Sequence, residues 1–156
     1  ENPTMDDTIS QLWSRYRATD PQADIAPPIA YHFCDNALDA DLCANLVVQG
    51  KKQATASALA ELELLGQPLP RVGDMAIVTN WAGQARAVIR THRVEVRRLG
   101  EVDAEFAATE GEGDGSLAWW RQAHLAYYGR VLAGTKHRVD DDLLIACEYF
   151  DCLMSA

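Results

Sequence analysis

Two adjacent lysines and a nearby threonine form the first group of residues whose types suit chemistry. Lys51 and Lys52 are two of only three lysines in the chain, and Gln53 and Thr55 follow them. In such a segment an ammonium group can balance an oxyanion or lower the pKa of a neighbouring hydroxyl. The same residues fit an exposed loop between two helices, so the segment alone leaves both interpretations open.

Three carboxylates alternate with glycines in the second group, which consists of Glu110, Glu112 and Asp114. Carboxylates on a flexible backbone can coordinate a hard divalent cation, although the segment lacks the length and order of an EF-hand loop. One of them could instead be the general base of a hydrolase, if burial or a neighbour raised its pKa. A third interpretation is an acidic, glycine-rich loop that caps a helix beginning near Ser116.

Five arginines lie between residues 86 and 98, in a segment that we interpret as a long strand. Residues at even separation share a face of a strand, which places Arg86 with Arg90 and puts Arg93 with Arg97 on the opposite face. Guanidinium groups suit phosphate and carboxylate equally well, so these arginines predict either phosphate contacts or ion pairs with Asp and Glu. The net charge of −9 excludes a protein that coats nucleic acid but leaves room for a small anionic site.

An aromatic stripe follows the acidic segment. Trp120 and His124 recur one helical turn apart, and Tyr127 or Tyr128 continues the same face. Such a stripe is more often core than a platform for stacking bases, and His124 within it is interpreted as structural. The sequence contains no G-x-S-x-G element and no glycine fingerprint for nucleotide phosphates.

Composition predicts one soluble domain of ordinary make-up, since 48% of the residues are hydrophobic and 24% are charged. No apolar run approaches the length of a membrane span, and the polar, acidic start of the chain does not resemble a secretory signal. The four cysteines fit no zinc pattern and stand in apolar surroundings, which predicts reduced core thiols. These features together predict a cytoplasmic protein.

Hydrophobic periodicity and turn residues predict a mixture of helices and strands. Helices are expected over five segments: 8–18, the stretch from a cap at Asp35 or Asn36 to Gly50, 57–65, 102–109 and 117–128. Strands are expected over 31–34, 75–79, 85–97 and 143–152, with a hairpin turn over 80–84. The sequence therefore predicts a single-domain α+β fold.

Four ordered motifs, which span about half the chain, resemble those of the ASCH domain family. They are the G-K-K-Q-A-T-A-S segment at 50–57, the L-P-R-V-G-D turn at 69–74, the F-A-A-T-E-G-E-G-D segment at 106–114 and the W-W-R-Q-A-H segment at 119–124. The resemblance implies a small PUA-like β-barrel flanked by helices, occupying residues 29–156 after an N-terminal helix and linker over 1–28. It also implies a role in RNA metabolism.

The resemblance implies catalytic roles for three residues, Lys52, Thr55 and Glu110. In an amidohydrolase, Thr55 attacks or positions water, Lys52 holds the oxyanion and Glu110 moves the proton. In a ribonuclease, Lys52 stabilises the charged phosphorane while Glu110 acts as the base. The longer chain and the acidic loop differ from the small amidohydrolase members and favour the longer, ribonuclease-like branch.

These roles give three functional hypotheses. The first is a ribonuclease acting on single-stranded RNA; the alternatives are an amidohydrolase acting on a modified nucleoside such as N4-acetylcytidine, and a non-catalytic module that binds RNA or a nucleotide. Five residues are predicted to contact the substrate through phosphates or by stacking: Lys51, Arg86, Arg90, Trp81 and Trp120. The sequence identifies no cofactor with certainty, and Glu112 and Asp114 are the candidate ligands if a divalent metal binds.

Overall fold

A computed structural model describes residues 4–156. The five strands within this range are β1 (Ala30–Tyr31), β2 (Ala54–Ala58), β3 (Met75–Thr79), β4 (Ala85–Arg98) and β5 (Leu144–Ser155). They form one mixed sheet in the order β1-β3-β4-β5-β2. Strand β1 is parallel to β3, whereas the pairs β3–β4 and β2–β5 are antiparallel.

Helices alternate with these strands along the chain. They are α1 (Met5–Thr19), α2 (Ala37–Val48), α3 (Leu59–Leu64), α4 (Ala104–Glu110) and α5 (Leu117–Val131), with a short 3₁₀ turn over Leu99–Glu101. The predicted α+β class is therefore confirmed. The predicted closed barrel is not, because within residues 4–156 the two outer strands, β1 and β2, do not pair with each other.

The largest departure from the predicted elements lies just after the lysine pair. A helix was expected over 57–65, but strand β2 runs to Ala58 and only the six residues of α3 are helical. Five residues of β2 pair in register with β5, and Ala54 and Ala58 are fully buried on its inner face. Cross-strand pairing and burial thus override the local helix propensity of an alanine- and leucine-rich segment.

The strand expected over 31–34 is also shorter than predicted. Strand β1 ends at Tyr31, and Cys34 has a φ of 66°, in the left-handed region, which is incompatible with a continuing strand. The cysteine prediction needs a correction as well: Cys43 and Cys147 are buried, but Cys34 is half-buried and Cys152 is exposed. Cys152 therefore does not lie in the core.

The chain forms two compact units. The first comprises the residues up to Lys51 together with 73–90 and 150–156, and the second comprises 52–72 and 91–149. In the first unit α1 packs Leu12, Trp13 and Tyr16 against Ile77 and Val88 of the sheet. The predicted division of the chain between residues 28 and 29 stays a prediction.

The second unit is built around a core that helices α4 and α5 share with β2 and β5. Phe106 of α4 and Trp120 of α5 meet edge to face, with ring centroids 6.0 Å apart, and Ile145 and Cys147 of β5 belong to the same core. This packing fixes the end of α4 and the start of α5. The acidic segment, which contains Glu110, Glu112 and Asp114, connects these two points.

Helix α4 begins at a capping residue, Asp103, that also pairs with an arginine of β4. The Asp103 carboxylate accepts a hydrogen bond of 2.9 Å from the backbone N–H of Phe106, and Arg97 Nη1 lies 2.8 Å from its other oxygen. The backbone hydrogen bond first, and then Arg97, lower the pKa of Asp103. Arg97 and Arg93 both pair with Glu95, so this face of β4 uses its arginines in ion pairs, as one of the two interpretations predicted.

Candidate functional site

Three local structures in the second unit position a cluster of ionisable side chains. Lys52 stands just before β2, where the backbone N–H of Gln53 donates to the carbonyl of Thr109, with 2.8 Å between N and O. Glu110 is the last residue of α4, and Gly111 ends that helix with a φ of 67°, which favours glycine. The chain thereby reverses so that Glu112 lies beside Lys52.

Lys52 is the centre of the cluster, and it is only 2% exposed. Its Nζ donates to the carbonyl of Ala54 at 2.7 Å, to Glu110 Oε1 at 3.2 Å and to Glu112 Oε2 at 3.1 Å. An ammonium group has three N–H donors, so these three acceptors match its full capacity. Lys52 therefore holds the two carboxylates in place and has no donor left over for an outside ligand in this arrangement.

Both oxygens of Glu110 are engaged, and the residue is 1% exposed. While Oε1 accepts from Lys52, Oε2 accepts from Trp120 Nε1 and lies 3.3 Å from His124 Nε2. The His124 ring also stacks on the Trp120 indole, with centroids 4.1 Å apart. The hydrogen-bond donors around Glu110 therefore stabilise a negative charge on its carboxylate, and the burial of this residue excludes water from it.

The ring of His124 lies between a backbone carbonyl and the Glu110 carboxyl. Its Nδ1 is 2.9 Å from the carbonyl oxygen of Trp120, and a carbonyl only accepts, so Nδ1 is the donor in this contact. Its Nε2 is 3.3 Å from Glu110 Oε2, which is within hydrogen-bond distance.

The cluster combines acidic and basic side chains. Two carboxylates, Glu110 and Glu112, face one ammonium, and His124 is the remaining basic group of the cluster. A buried ion pair is favourable only when its geometry is good and its remaining polar atoms are hydrogen-bonded. Glu112 and His124 keep 15% and 14% of their side chains exposed, so they are the members of the cluster that solvent reaches.

Tyr128 lies one turn further along α5 and borders the cluster, with its ring centroid 5.8 Å from that of His124. Its hydroxyl is buried and has no hydrogen-bond partner within residues 4–156. Burial first, and then the negative charge of Glu110, raise the pKa of Tyr128 well above its usual value of 10. The phenol therefore stays neutral beside the carboxylates.

Of the three residues predicted to be catalytic, the structure brings two together. Lys52 and Glu110 are hydrogen-bonded across 58 positions of sequence. Thr55 lies on β2 opposite Glu148, and its side chain faces away from the surface that Ala54 and Ala58 bury. Within the described residues, no hydrogen bond joins the Thr55 side chain to Lys52 or Glu110.

The residues predicted to contact substrate fall into two groups, a buried tryptophan and four residues of the first unit. Trp120 is buried and its Nε1 is committed to Glu110, so this ring offers no face to a base and the predicted stacking conflicts with its position. Lys51, Trp81, Arg86 and Arg90 all belong to the first unit. Among these four residues, Lys51 and Arg90 are exposed, Trp81 is 45% exposed and Arg86 is half-buried.

The two candidate metal ligands, Glu112 and Asp114, have different contacts. Glu112, with Glu110 and His124, offers ligand atoms that lie within 4.8 Å of one another. The cation that these carboxylates hold is the ammonium of Lys52, which a metal ion would have to displace. Asp114 instead accepts a hydrogen bond of 2.9 Å from the backbone N–H of Ser116. A hydrogen bond from the Ser116 side chain first, and then this backbone hydrogen bond, lower the pKa of Asp114. Asp114 therefore holds Ser116, the residue that caps the start of α5.

His124 is the member of the cluster that sequence reasoning assigned to the scaffold. The signal that identifies it is its spacing: His124 follows Trp120 by one turn, and both must lie on the face of α5 that covers the end of α4. The general rule that aromatic stripes form core is correct for Trp120, which is buried, but it overlooked the histidine at the edge of that core.

Comparison with known proteins agrees with this fold and places the chain in a family. The sequence matches the ASCH domain over residues 29–154. An ASCH domain from Lactobacillus crispatus JV V101 is similar in structure, with a TM-score of 0.82, 31% identity and coverage of 93% of each chain. A protein from Enterococcus faecalis V583 has a TM-score of 0.84 at 26% identity, covering 95% of this chain and 89% of its own.

The chain therefore belongs to the ASCH domain family, as its four motifs predicted. ASCH domains are generally associated with RNA binding. No curated protein matched the sequence. Within residues 4–156, none of the helices is long and apolar enough to cross a membrane.

Proposed function

We propose that this protein is an RNA-directed hydrolase that cleaves single-stranded RNA with the cluster around Lys52. The observation that carries the proposal is the 3.3 Å contact between His124 Nε2 and Glu110 Oε2, next to a second carboxylate that solvent reaches. Proton transfer by positioned side chains is a major contribution to hydrolytic catalysis. An imidazole beside a buried carboxyl, with a second carboxylate that is partly exposed, suits that chemistry.

The residues divide the work of RNA cleavage as follows. Glu112 takes the proton of the ribose 2′-hydroxyl, whose oxygen attacks the adjacent phosphorus while the bond to the 5′-oxygen breaks. His124, which lies beside Glu110, donates a proton to the departing 5′-oxygen. Lys52, which donates to both carboxylates, is a positioning residue rather than a phosphate ligand.

The substrate contacts predicted from the sequence stay predictions. Lys51 and Arg90 are exposed, as side chains that bind phosphates must be, and the Trp81 ring is accessible to a base. A short single strand fits a protein of net charge −9 better than a long duplex, whose binding needs many neutralised phosphates. The amidohydrolase hypothesis relied on Thr55 beside Lys52, so the geometry supports it less well than RNA cleavage.

A non-catalytic RNA-binding module is the second candidate, and one observation favours it. Glu110 is buried with both oxygens engaged, which is also how a purely structural carboxylate looks. Under that function the cluster would stabilise the fold and the RNA would bind without turnover.

Incubation with a labelled single-stranded RNA oligonucleotide, followed by denaturing electrophoresis, distinguishes the two candidates. We expect cleavage that falls by about 100-fold or more in Glu112→Gln and in Glu110→Gln. Glutamine keeps an acceptor oxygen for Lys52, so both variants should fold. Glu105→Gln, on the exposed side of the same helix as Glu110, is the matched control and should retain full activity.

Two outcomes would contradict the hydrolase. One is equal cleavage by the wild-type protein and both site variants, which would reveal a contaminating nuclease. The other is salt-sensitive RNA binding without any cleavage, which would establish the binding module instead.

A further inference from the structure

Two thiols approach each other in the first unit. The sulfur atoms of Cys34 and Cys43 are 3.5 Å apart. Cys43 is a buried residue of α2, packed in a core that includes Ala44 and Val47. Cys34 is half-buried and lies in the loop that joins β1 to α2, so a small reagent can reach its side chain.

The backbone at Cys34 is unusual. Its φ of 66° is the single positive value among the non-glycine residues of 4–156. A β-carbon disfavours this left-handed conformation, so other parts of the structure must maintain it. The short connection restricts the loop, because β1 ends at Tyr31 and Asn36 already caps α2, where its side chain accepts from the backbone N–H of Asp39.

We propose that Cys34 and Cys43 form a thiol oxidation site, which closes to a disulfide when a hydroperoxide reacts with Cys34. The Cys34 sulfur attacks one peroxide oxygen, the O–O bond breaks, and water or an alcohol leaves, which gives a sulfenic acid. The Cys43 sulfur then attacks the Cys34 sulfur, the S–O bond breaks, and water leaves with the Cys43 proton. The two thiols lose two electrons and the peroxide gains them.

The movement that this step requires is small. A disulfide bond is about 2.05 Å long, so the sulfurs must close by about 1.5 Å. Cys34 is half-buried in a loop, whereas Cys43 is buried in the packing of α2. The roles follow from this difference: Cys34 is the residue that reacts and Cys43 is the residue that resolves the sulfenic acid.

The bond would also fix the loop that carries His32. The His32 ring contacts the half-exposed Trp81 ring, with centroids 4.7 Å apart. Joining Cys34 to α2 restricts the residues immediately after His32. Oxidation is therefore expected to change the environment of Trp81, one of the predicted RNA contacts, although the disulfide itself does not depend on the proposed function.

Treatment of the reduced protein with hydrogen peroxide, followed by intact mass measurement, tests the site. We expect a mass loss of two hydrogen atoms and a peptide map that links Cys34 to Cys43. The melting temperature should rise by roughly 5 °C, because a closed loop of about ten residues restricts the unfolded chain. Added dithiothreitol should reverse both changes.

Serine variants separate this reaction from general thiol oxidation. Cys43→Ser should stop at a Cys34 sulfenic acid that dimedone captures, while Cys152→Ser, which removes an exposed thiol, should still form the bond. The melting temperature of each reduced variant shows that it is folded. The proposal would be overturned if Cys34 of the wild-type protein gained oxygen atoms stepwise while the Cys43 thiol could still be alkylated after unfolding.

Discussion

Replacement of Lys52 by methionine removes the ammonium while keeping a side chain of similar length. The variant leaves the carbonyl of Ala54 without its donor, and it leaves Glu110 and Glu112 as neighbouring carboxylates without the cation that bridges them. Breaking a buried ion pair by removing one partner typically costs about 3–5 kcal/mol. We expect a loss of that size, which is a large share of the roughly 5–15 kcal/mol that stabilises a native protein.

A double-mutant cycle shows whether that cost comes from the stranded carboxylate. In Lys52→Met combined with Glu110→Gln, the buried acceptor no longer carries a charge, so part of the loss should be recovered. Residues in direct contact show interaction energies of about 0.5–3 kcal/mol, and we expect this pair to lie in the upper half of that range. Urea denaturation at neutral pH, followed by circular dichroism, measures all four proteins.

Lys51→Met is the control, since it removes the same group from an exposed neighbour and should change stability by no more than about 0.5 kcal/mol. The reasoning would be refuted if Lys52→Met cost no more than the control. It would also be refuted if the two substitutions in the cycle were additive, because the 3.2 Å contact would then contribute nothing to folding.

Two further substitutions test the segments that hold the cluster in place. Gly113→Ala should lower the free energy of unfolding by about 1–3 kcal/mol in thermal denaturation, because the φ of Gly113 is 59° and an added methyl group would overlap the Trp119 ring. Gly115→Ala is the control and should cost less, because Gly115 has a φ of 77° but open space around it. Asp103→Ala should lose about 1 kcal/mol at neutral pH through its missing cap. Because folding lowers the pKa of Asp103, this stabilisation is present above the unfolded pKa of about 3.8 and disappears as the pH falls through the folded pKa. The stabilities of the wild type and the variant should therefore converge in acid. An equal difference in stability at every pH would contradict this.

Local signals in the sequence were sufficient for most of the secondary structure. The hairpin over 80–84 and the long strand β4 follow from turn residues and β-branched runs, and Asn36 caps α2 as predicted. The ASCH motifs identified the family from the sequence alone. These features depend on residues close together in the chain, which is why periodicity and turn chemistry capture them.

Strand β2 is the clearest case in which local propensity was misleading. An alanine-rich stretch has a high helix propensity, yet the segment gains more from pairing with β5, about ninety positions later in the chain. The closed barrel was expected from the resemblance alone, and no local pattern tests whether the outer strands of a sheet meet.

Lys52, Thr55 and Glu110 were the residues predicted to be catalytic, and the sequence determined their types and their motif. Tertiary structure alone decided which of them meet: Lys52 reaches Glu110 across 58 positions, whereas Thr55 lies on the other face of β2. It also brought His124 to Glu110 and buried Trp120. Such contacts depend on how two helices and a strand pack around one core, and residue types along a chain do not encode that packing in any local pattern.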